Sequence, residues 1–174
     1  LCFASMPAAA AITADRIEIV TQQIQLLKDR YEQAERELAV MRKGGVDLPL
    51  ATLELASKNL QDKAALDISV AKSNLESINI ELADVRQTVS WLDKSIQEIE
   101  NQLNILNIFG SRIARSERMD VDQLRADLQY QQRLIILEKE RMKYLYDLQD
   151  DTKTLLQLKK DQLAKLNTQL KSQR

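Results

Sequence analysis

Ile68–Leu106 reads ISVAKSNLESINIELADVRQTVSWLDKSIQEIENQLNIL, and apolar residues return in it every seven positions in two interleaved series. One series is Ile68, Leu75, Leu82, Val89, Ile96 and Leu103; the other is Ala71, Ile78, Val85, Leu92, Ile99 and Leu106. Alternating steps of four and three place every member on one stripe of an α-helix, because about 3.5 residues per step nearly matches the roughly 3.6 of a helical turn. So long and narrow a stripe has to be covered by another helix, and the stretch therefore specifies helix-on-helix packing.

Glycine and proline punctuate both sides of this stretch. Pro7, Gly44, Gly45, Pro49 and Gly110 all fall where a break is expected. A proline in a helix interior costs about 3 kcal/mol and a glycine about 1, so the segments free of both read as helices. The spacing predicts helices over about 13–43, 50–108 and 120–172.

In the first, Thr13 or Asp15 is the expected N-cap, and Ile17, Val20, Ile24, Leu27, Tyr31, Ala34, Leu38 and Met41 form the stripe. Arg42 and Lys43 suit the negative helix end, with Gly44 as the cap residue. The short turn to Pro49 implies an antiparallel neighbour. The second helix starts out of heptad phase at Leu53, Leu60, Ala64 and Ile68, a drift that accompanies a change in packing.

Asp120 with Gln123 resembles a capping box opening the third helix. Its best seven-step series is Val121, Leu128, Ile135, Met142, Gln149, Leu156, Leu163 and Leu170. The companion series, Leu124, Gln131, Glu138, Leu145, Thr152, Lys159 and Leu166, is more than half polar. The packing residues expected on the third helix are Leu128, Ile135 and Met142, on a stripe that packs less uniformly than that of the second helix and drifts along its length.

At about 1.5 Å per residue the second helix would be roughly 85–90 Å long. Folding back at both turns places helix 1 beside about residues 50–80 and helix 3 beside nearly all of helix 2. The expected fold is all-α: an elongated antiparallel three-helix coiled-coil bundle, partly a two-helix hairpin, forming one domain over 12–174.

Composition agrees, with 44% apolar but only 4% aromatic residues, too few large rings for a thick globular core. Twenty-five basic and twenty-six acidic side chains nearly cancel, leaving no global field to attract nucleic acid or an anionic membrane. No internal stretch reaches the roughly eighteen uncharged apolar residues of a membrane span. Residues 1–11, LCFASMPAAAA, are uncharged and end in small residues, with Ala8 and Ala10 as a candidate cleavage signal. They read as the remnant of a secretory signal peptide, the other reading being a tag remnant or frayed helix start. A mature chain starting near Ala11 would lack Cys2 and hold no cysteine. At the other end the heptad pattern runs to Arg174 without a stop signal, which suggests a piece of something longer.

The chain has no histidine, which excludes His-based acid–base catalysis, Ser–His nucleophiles and His/Cys metal sites. No catalytic, cofactor-binding or metal residue is expected. Asp120 with Asp122 and Asp150 with Asp151 read as solvated surface, and three glycines cannot form a phosphate loop. Gln149 either fixes register in its seam or sits at the rim. Ile80, Trp91 and Ile105 lie within about 40° of one another, away from the main stripe. Either a neighbouring helix or crystal neighbour covers them, or with Phe109 they contact a partner protein or a second copy of the chain. Ile108, Phe109 and Ile113 with Arg112, Arg115 and Arg118 either close the hairpin or touch a membrane surface or envelope partner. The basic tail from Lys153 to Arg174 suits a helix C-terminus better than nucleic-acid binding.

The stretch Leu134–Leu148, LIILEKERMKYLYDL, followed by the Leu-Lys-Lys-Asp-Gln-Leu run at 158–163, joins the export-like start and the Gln/Leu-rich helices in pointing to one family. Over most of residues 12–174 the chain resembles the periplasmic N-terminal helical region of large bacterial mechanosensitive channels of the KefA type. The resemblance implies a periplasmic, non-catalytic structural or interaction role in a channel for osmotic adjustment. It also implies membrane attachment through parts not present here, and protein partners: its own channel subunits or envelope proteins. It implies no cofactor, nucleic acid or small-molecule substrate, and it transfers no pore residue. The open alternative is a cell-envelope coiled-coil adaptor or scaffold.

Overall fold

A computed structural model describes residues 6–43, 50–109 and 118–172, with side chains for 16–43, 58–108 and 121–172. Every described residue lies in one of three α-helices: α1 (Met6–Lys43), α2 (Leu50–Phe109) and α3 (Arg118–Ser172). The fold is an all-helical bundle. None of these helices is long and apolar enough to cross a membrane.

The α2 seam follows its heptads. Ala71, Ile78, Val85, Leu92 and Ile99 are buried along its centre, with Ile68, Leu82 and Val89 beside them. Leu75, Ile96, Leu103 and Leu106, at the edge, are half-buried. Each fully covered Leu, Ile or Val contributes about 1.5–3 kcal/mol, so this seam is the main apolar investment of the fold. In α1, Val20, Ile24, Leu27, Ala34 and Leu38 are buried, while Ile17, Tyr31 and Met41 lie half-covered. Threonines are accommodated by donating their hydroxyls to the carbonyl four residues back, as Thr21 does to Ile17 at 2.7 Å and Thr88 to Asp84 at 3.1 Å.

The chain divides into two compact units. Unit one joins Ala83–Lys143 to the chain up to Leu26. Its core holds Val20 and Ile24 from α1, Val85, Val89, Leu92 and Ile99 from α2, and Leu134 and Ile135 from α3. On its surface Lys139 Nζ lies 3.9 Å from Asp93 Oδ1.

Unit two joins Leu27–Leu82 to Tyr144–Arg174. Its core holds Leu27, Ala34 and Leu38, then Ile68, Ala71, Ile78 and Leu82, then Leu145, Leu148 and Leu155. Gln61 Nε2 donates to Asn167 Oδ1 at 2.8 Å and Gln149 Nε2 to Asn79 Oδ1 at 2.6 Å. Moving forward along α2 between these pairs means moving back along α3, so the two stretches run in opposite senses within this unit. Arg30 Nη1 meets Glu81 Oε1 at 3.2 Å, and Lys159 Nζ meets Glu37 Oε1 at 2.8 Å.

Four sequence expectations need correction. α1 begins at Met6, so Thr13 and Asp15 lie inside the helix and cannot cap it. Pro7 is tolerated in a first turn, and the alanines after it have the highest helix propensity, so the small-residue run extends the helix. α3 begins at Arg118, which puts Asp120 within its first turn. Gln123 is engaged elsewhere, its amide donating to Asp127 Oδ1 at 2.8 Å.

The reach of α1 also differs. Arg30 meets Glu81, and α1 up to Leu26 shares a unit with Ala83–Lys143, instead of α1 lying beside 50–80 alone. α1 carries buried apolar residues in both units, Val20 and Ile24 in one and Leu27, Ala34 and Leu38 in the other. The fourth correction is the α3 seam. Of the series expected there only Ile135 is buried; Val121, Leu128, Met142, Gln149, Leu156, Leu163 and Leu170 are half-buried. The face turned inward carries Leu134, Glu138, Leu145, Leu148, Thr152 and Leu155, three of which (Glu138, Leu145 and Thr152) belong to the more polar companion series. The expected turns at 44–49 and 110–117 lie outside the described residues.

Candidate functional site: charged clusters in the helix seams

The polar members of the α3 seam are seated by local partners. Thr152 donates its hydroxyl to the Leu148 carbonyl at 2.7 Å, which satisfies it at a 6% exposed position. Glu138 is only 2% exposed, and Arg141 one turn on approaches its Oε2 with Nη1 at 3.6 Å. That distance is an ion pair but too long for a hydrogen bond. Burial pushes the Glu138 carboxyl above its usual range; Arg141 and Arg16 of α1 pull it back, and Asp84 of α2 adds to the push. Burial likewise raises the nearby Tyr130 phenol against the charge of Arg16.

Tyr130 Oη, Gln131 Oε1, Glu138 Oε2 and Arg141 Nε are all buried without a hydrogen-bond partner. Each such atom costs on the order of 1–3 kcal/mol, so this part of unit one is energetically expensive.

Unit two holds a second cluster, at the meeting of α1 and α3. Asp151 is pushed up to about 6, first by burial, then by its hydrogen bond with Glu35 and by the charges of Glu35 and Asp147. Arg42 opposes the shift. Two carboxyls can share a hydrogen bond only if one carries a proton, which is why such a pair titrates late. The other oxygen, Asp151 Oδ2, is buried without a partner. The charge of Glu35 is also the first cause of the raised Tyr31 phenol, whose hydroxyl donates to that carboxylate. Nearby, Lys28 Nζ lies 5.3 Å from the centre of the Tyr144 ring, a cation–π distance.

Between the helices of unit two a cavity of about 350 Å³ is bordered by Ala34, Ala71 and Thr152, whose small side chains leave the space. Its cations are engaged, Arg30 by Glu81 and Lys159 by Glu37.

The sequence-predicted sites fall as follows. Ile80, Trp91 and Ile105 are exposed at 66%, 56% and 54%, so none of the described helices covers them. Ile80 belongs to unit two, Trp91 and Ile105 to unit one. Ile108 is also exposed. The Phe109 side chain, Arg112, Ile113 and Arg115 lie outside the described residues, as does the Arg118 side chain. Gln149 is half-buried and reaches across to Asn79, so it sits at the rim and still ties two helices together. Asp150 is exposed as expected of a solvated face, but its neighbour Asp151 is half-buried in the carboxyl cluster.

Sequence reasoning missed both clusters. Glu138 and Arg141 stood in the pattern as a charged pair three apart on a seam, and Glu35 and Asp151 as acids next to the seam residues Ala34 and Thr152. Among the described residues no group of three or more His, Cys, Asp or Glu is placed to hold a metal ion. The contacts of both clusters run within and between helices. No family model, curated protein or solved structure matches this chain.

Proposed function

We infer that this chain is a non-catalytic helical module of the bacterial cell envelope, the extracytoplasmic region of a mechanosensitive channel involved in osmotic adjustment. The observation that carries the reading is α2: sixty residues of continuous helix with an apolar seam that runs without a break from Ile68 to Leu106. Helices of this kind, laid side by side, transmit force and hold spacing while doing no chemistry. The resemblance of Leu134–Leu148 to the KefA-type helical region supplies the channel context, and the LCFASMPAAAA start supplies export to the periplasm. Protein partners, either channel subunits or envelope proteins, would meet surfaces such as that around Trp91.

The test has two steps. The reading frame beyond Arg174 should encode several apolar segments of about twenty residues. In that full protein, removing residues 12–174 while keeping the pore should shift the membrane tension at which single channels open in patch recordings. A frame flanked by β-rich domains instead would favour an adaptor, and an unchanged opening tension would remove the mechanical role.

A further inference from the structure

In unit two the apolar seam secures coverage but leaves alignment open. Ile68, Leu75 and Leu82 form one seven-step series of α2, and Ala71 and Ile78 the other. On α3, Leu148 and Leu155 face inward one heptad apart. A helix displaced by one heptad therefore again sets apolar against apolar. Seams built from such repeats leave several registers close in energy unless something marks one of them.

Two amide pairs cross from α2 to α3. Gln149 Nε2 donates to Asn79 Oδ1 at 2.6 Å, and Gln61 Nε2 donates to Asn167 Oδ1 at 2.8 Å. Asn79 lies eighteen residues forward of Gln61 on α2, and Gln149 lies eighteen residues back from Asn167 on α3. Both bonds therefore belong to one antiparallel register. Eighteen residues is also five turns at about 3.6 residues per turn, so the two pairs share one side of each helix.

We propose that Gln149–Asn79 and Gln61–Asn167 together form a register lock that holds the α2 and α3 stretches of unit two in one alignment. Sliding α3 by one heptad in one direction brings Asn167 to Ile68. A half-buried amide then faces an apolar side chain, and leaving it unpaired costs more than its bond contributes. Sliding in the other direction brings Gln149 to Lys72 and Gln61 to Lys160. Neither slip re-forms an amide pair, whereas both leave the apolar seam covered. The ion pairs Arg30–Glu81 and Lys159–Glu37 each join α1 to one neighbour, and neither spans α2 and α3.

The test removes the lock without removing packing. In the full chain with Cys2→Ser, spin labels on Ala65→Cys and Lys153→Cys, both exposed, report the α2–α3 register as a pulsed-EPR distance. With both amide pairs intact one narrow distance is expected, and it should persist in Gln61→Leu/Asn167→Leu, where the other pair still marks the alignment. When Asn79→Leu and Gln149→Leu are added, the helix content should stay and a second distance should appear, as the labels move along the axis by one heptad or about 10 Å. A single unchanged distance in the fourfold variant overturns the proposal by showing that register is set elsewhere. Loss of the helix signal in that variant also overturns it, because the amides would then hold the fold itself instead of choosing among its alignments.

Discussion

α2 and α3 are similar in length, at 60 and 55 residues, and both bury one face along a heptad seam, but they build it from different material. The α2 centre is Ala71, Ile78, Val85, Leu92 and Ile99; the α3 seam alternates Leu134, Leu145, Leu148 and Leu155 with Glu138, Arg141 and Thr152. An apolar seam gains from whatever covers it. A polar seam gains only from the partners that satisfy it, and loses when one is taken away. Stability should therefore respond differently to truncation on the two sides.

The largest effect should come from breaking the α3 pair on one side only. Arg141→Ala leaves Glu138 buried and short of its nearest cation, at an expected cost of about 3–5 kcal/mol. Leu92→Ala, at a position with no exposure, should cost about 2–5 kcal/mol through lost transfer energy and a cavity. The two are told apart by a rescue. Adding Glu138→Leu to Arg141→Ala should restore most of the loss, whereas no single polar-to-apolar change on α3 should restore Leu92→Ala. Urea unfolding followed by helix signal measures both. A fully stable Arg141→Ala would erase the distinction between the seams.

That distinction also decides what could be read in advance. The α2 seam was legible because Ile68 through Leu106 carry apolar side chains at every seam position, and a pattern of one material is visible without neighbours. On α3 the most buried face lies about one residue away from the best apolar series. Val121, Leu128, Ile135 and Met142 made the better apolar series, yet the buried face holds Glu138 and Thr152, made acceptable by Arg141 and the Leu148 carbonyl. Hydrophobic periodicity counts side chains and not their partners, so it could not weigh Glu138 with Arg141 and Arg16 around it. The Asp151 cluster was hidden for the same reason: Glu35 and Asp151 belong to different helices, and only packing brings them together. The early start of α1 is local information, carried by the high helix propensity of the alanines after Pro7.

A smaller effect, and one that depends on pH, is expected where unit two places like charges together. Asp151 titrates at about 6 in the fold against 3.8 for an ordinary aspartate. The raised value means that the fold favours the protonated acid. Its contribution is thus fully present below about pH 4, fades as pH rises through 6, and becomes a penalty at neutral pH. Asp151→Asn, which keeps the shape and removes the charge, should stabilise the protein at pH 7.5 by about 1 kcal/mol after solvent screening, and by close to nothing at pH 4. Equal effects at both pH values would mean that the Glu35–Asp151 contact does not hold its proton.

The smallest effect should come from Trp91, on the outer side of the same helix whose inner side holds Leu92. The two are neighbours in sequence, but Trp91 is 56% exposed and Leu92 fully covered. Trp91→Ser should change the unfolding free energy of the isolated chain by no more than about 0.5 kcal/mol, because exposed side chains contribute little to folding. Set against the about 2–5 kcal/mol expected for Leu92→Ala, that small value would show one helix stable through one face and idle on the other. Light scattering beside the melt sharpens the result. A loss of mass on substitution, together with a larger fall in stability, would mean that another chain covers Trp91 in solution. The outer face of α2 would then be a second seam, and its contrast with Leu92 would come from the missing partner instead of from the helix.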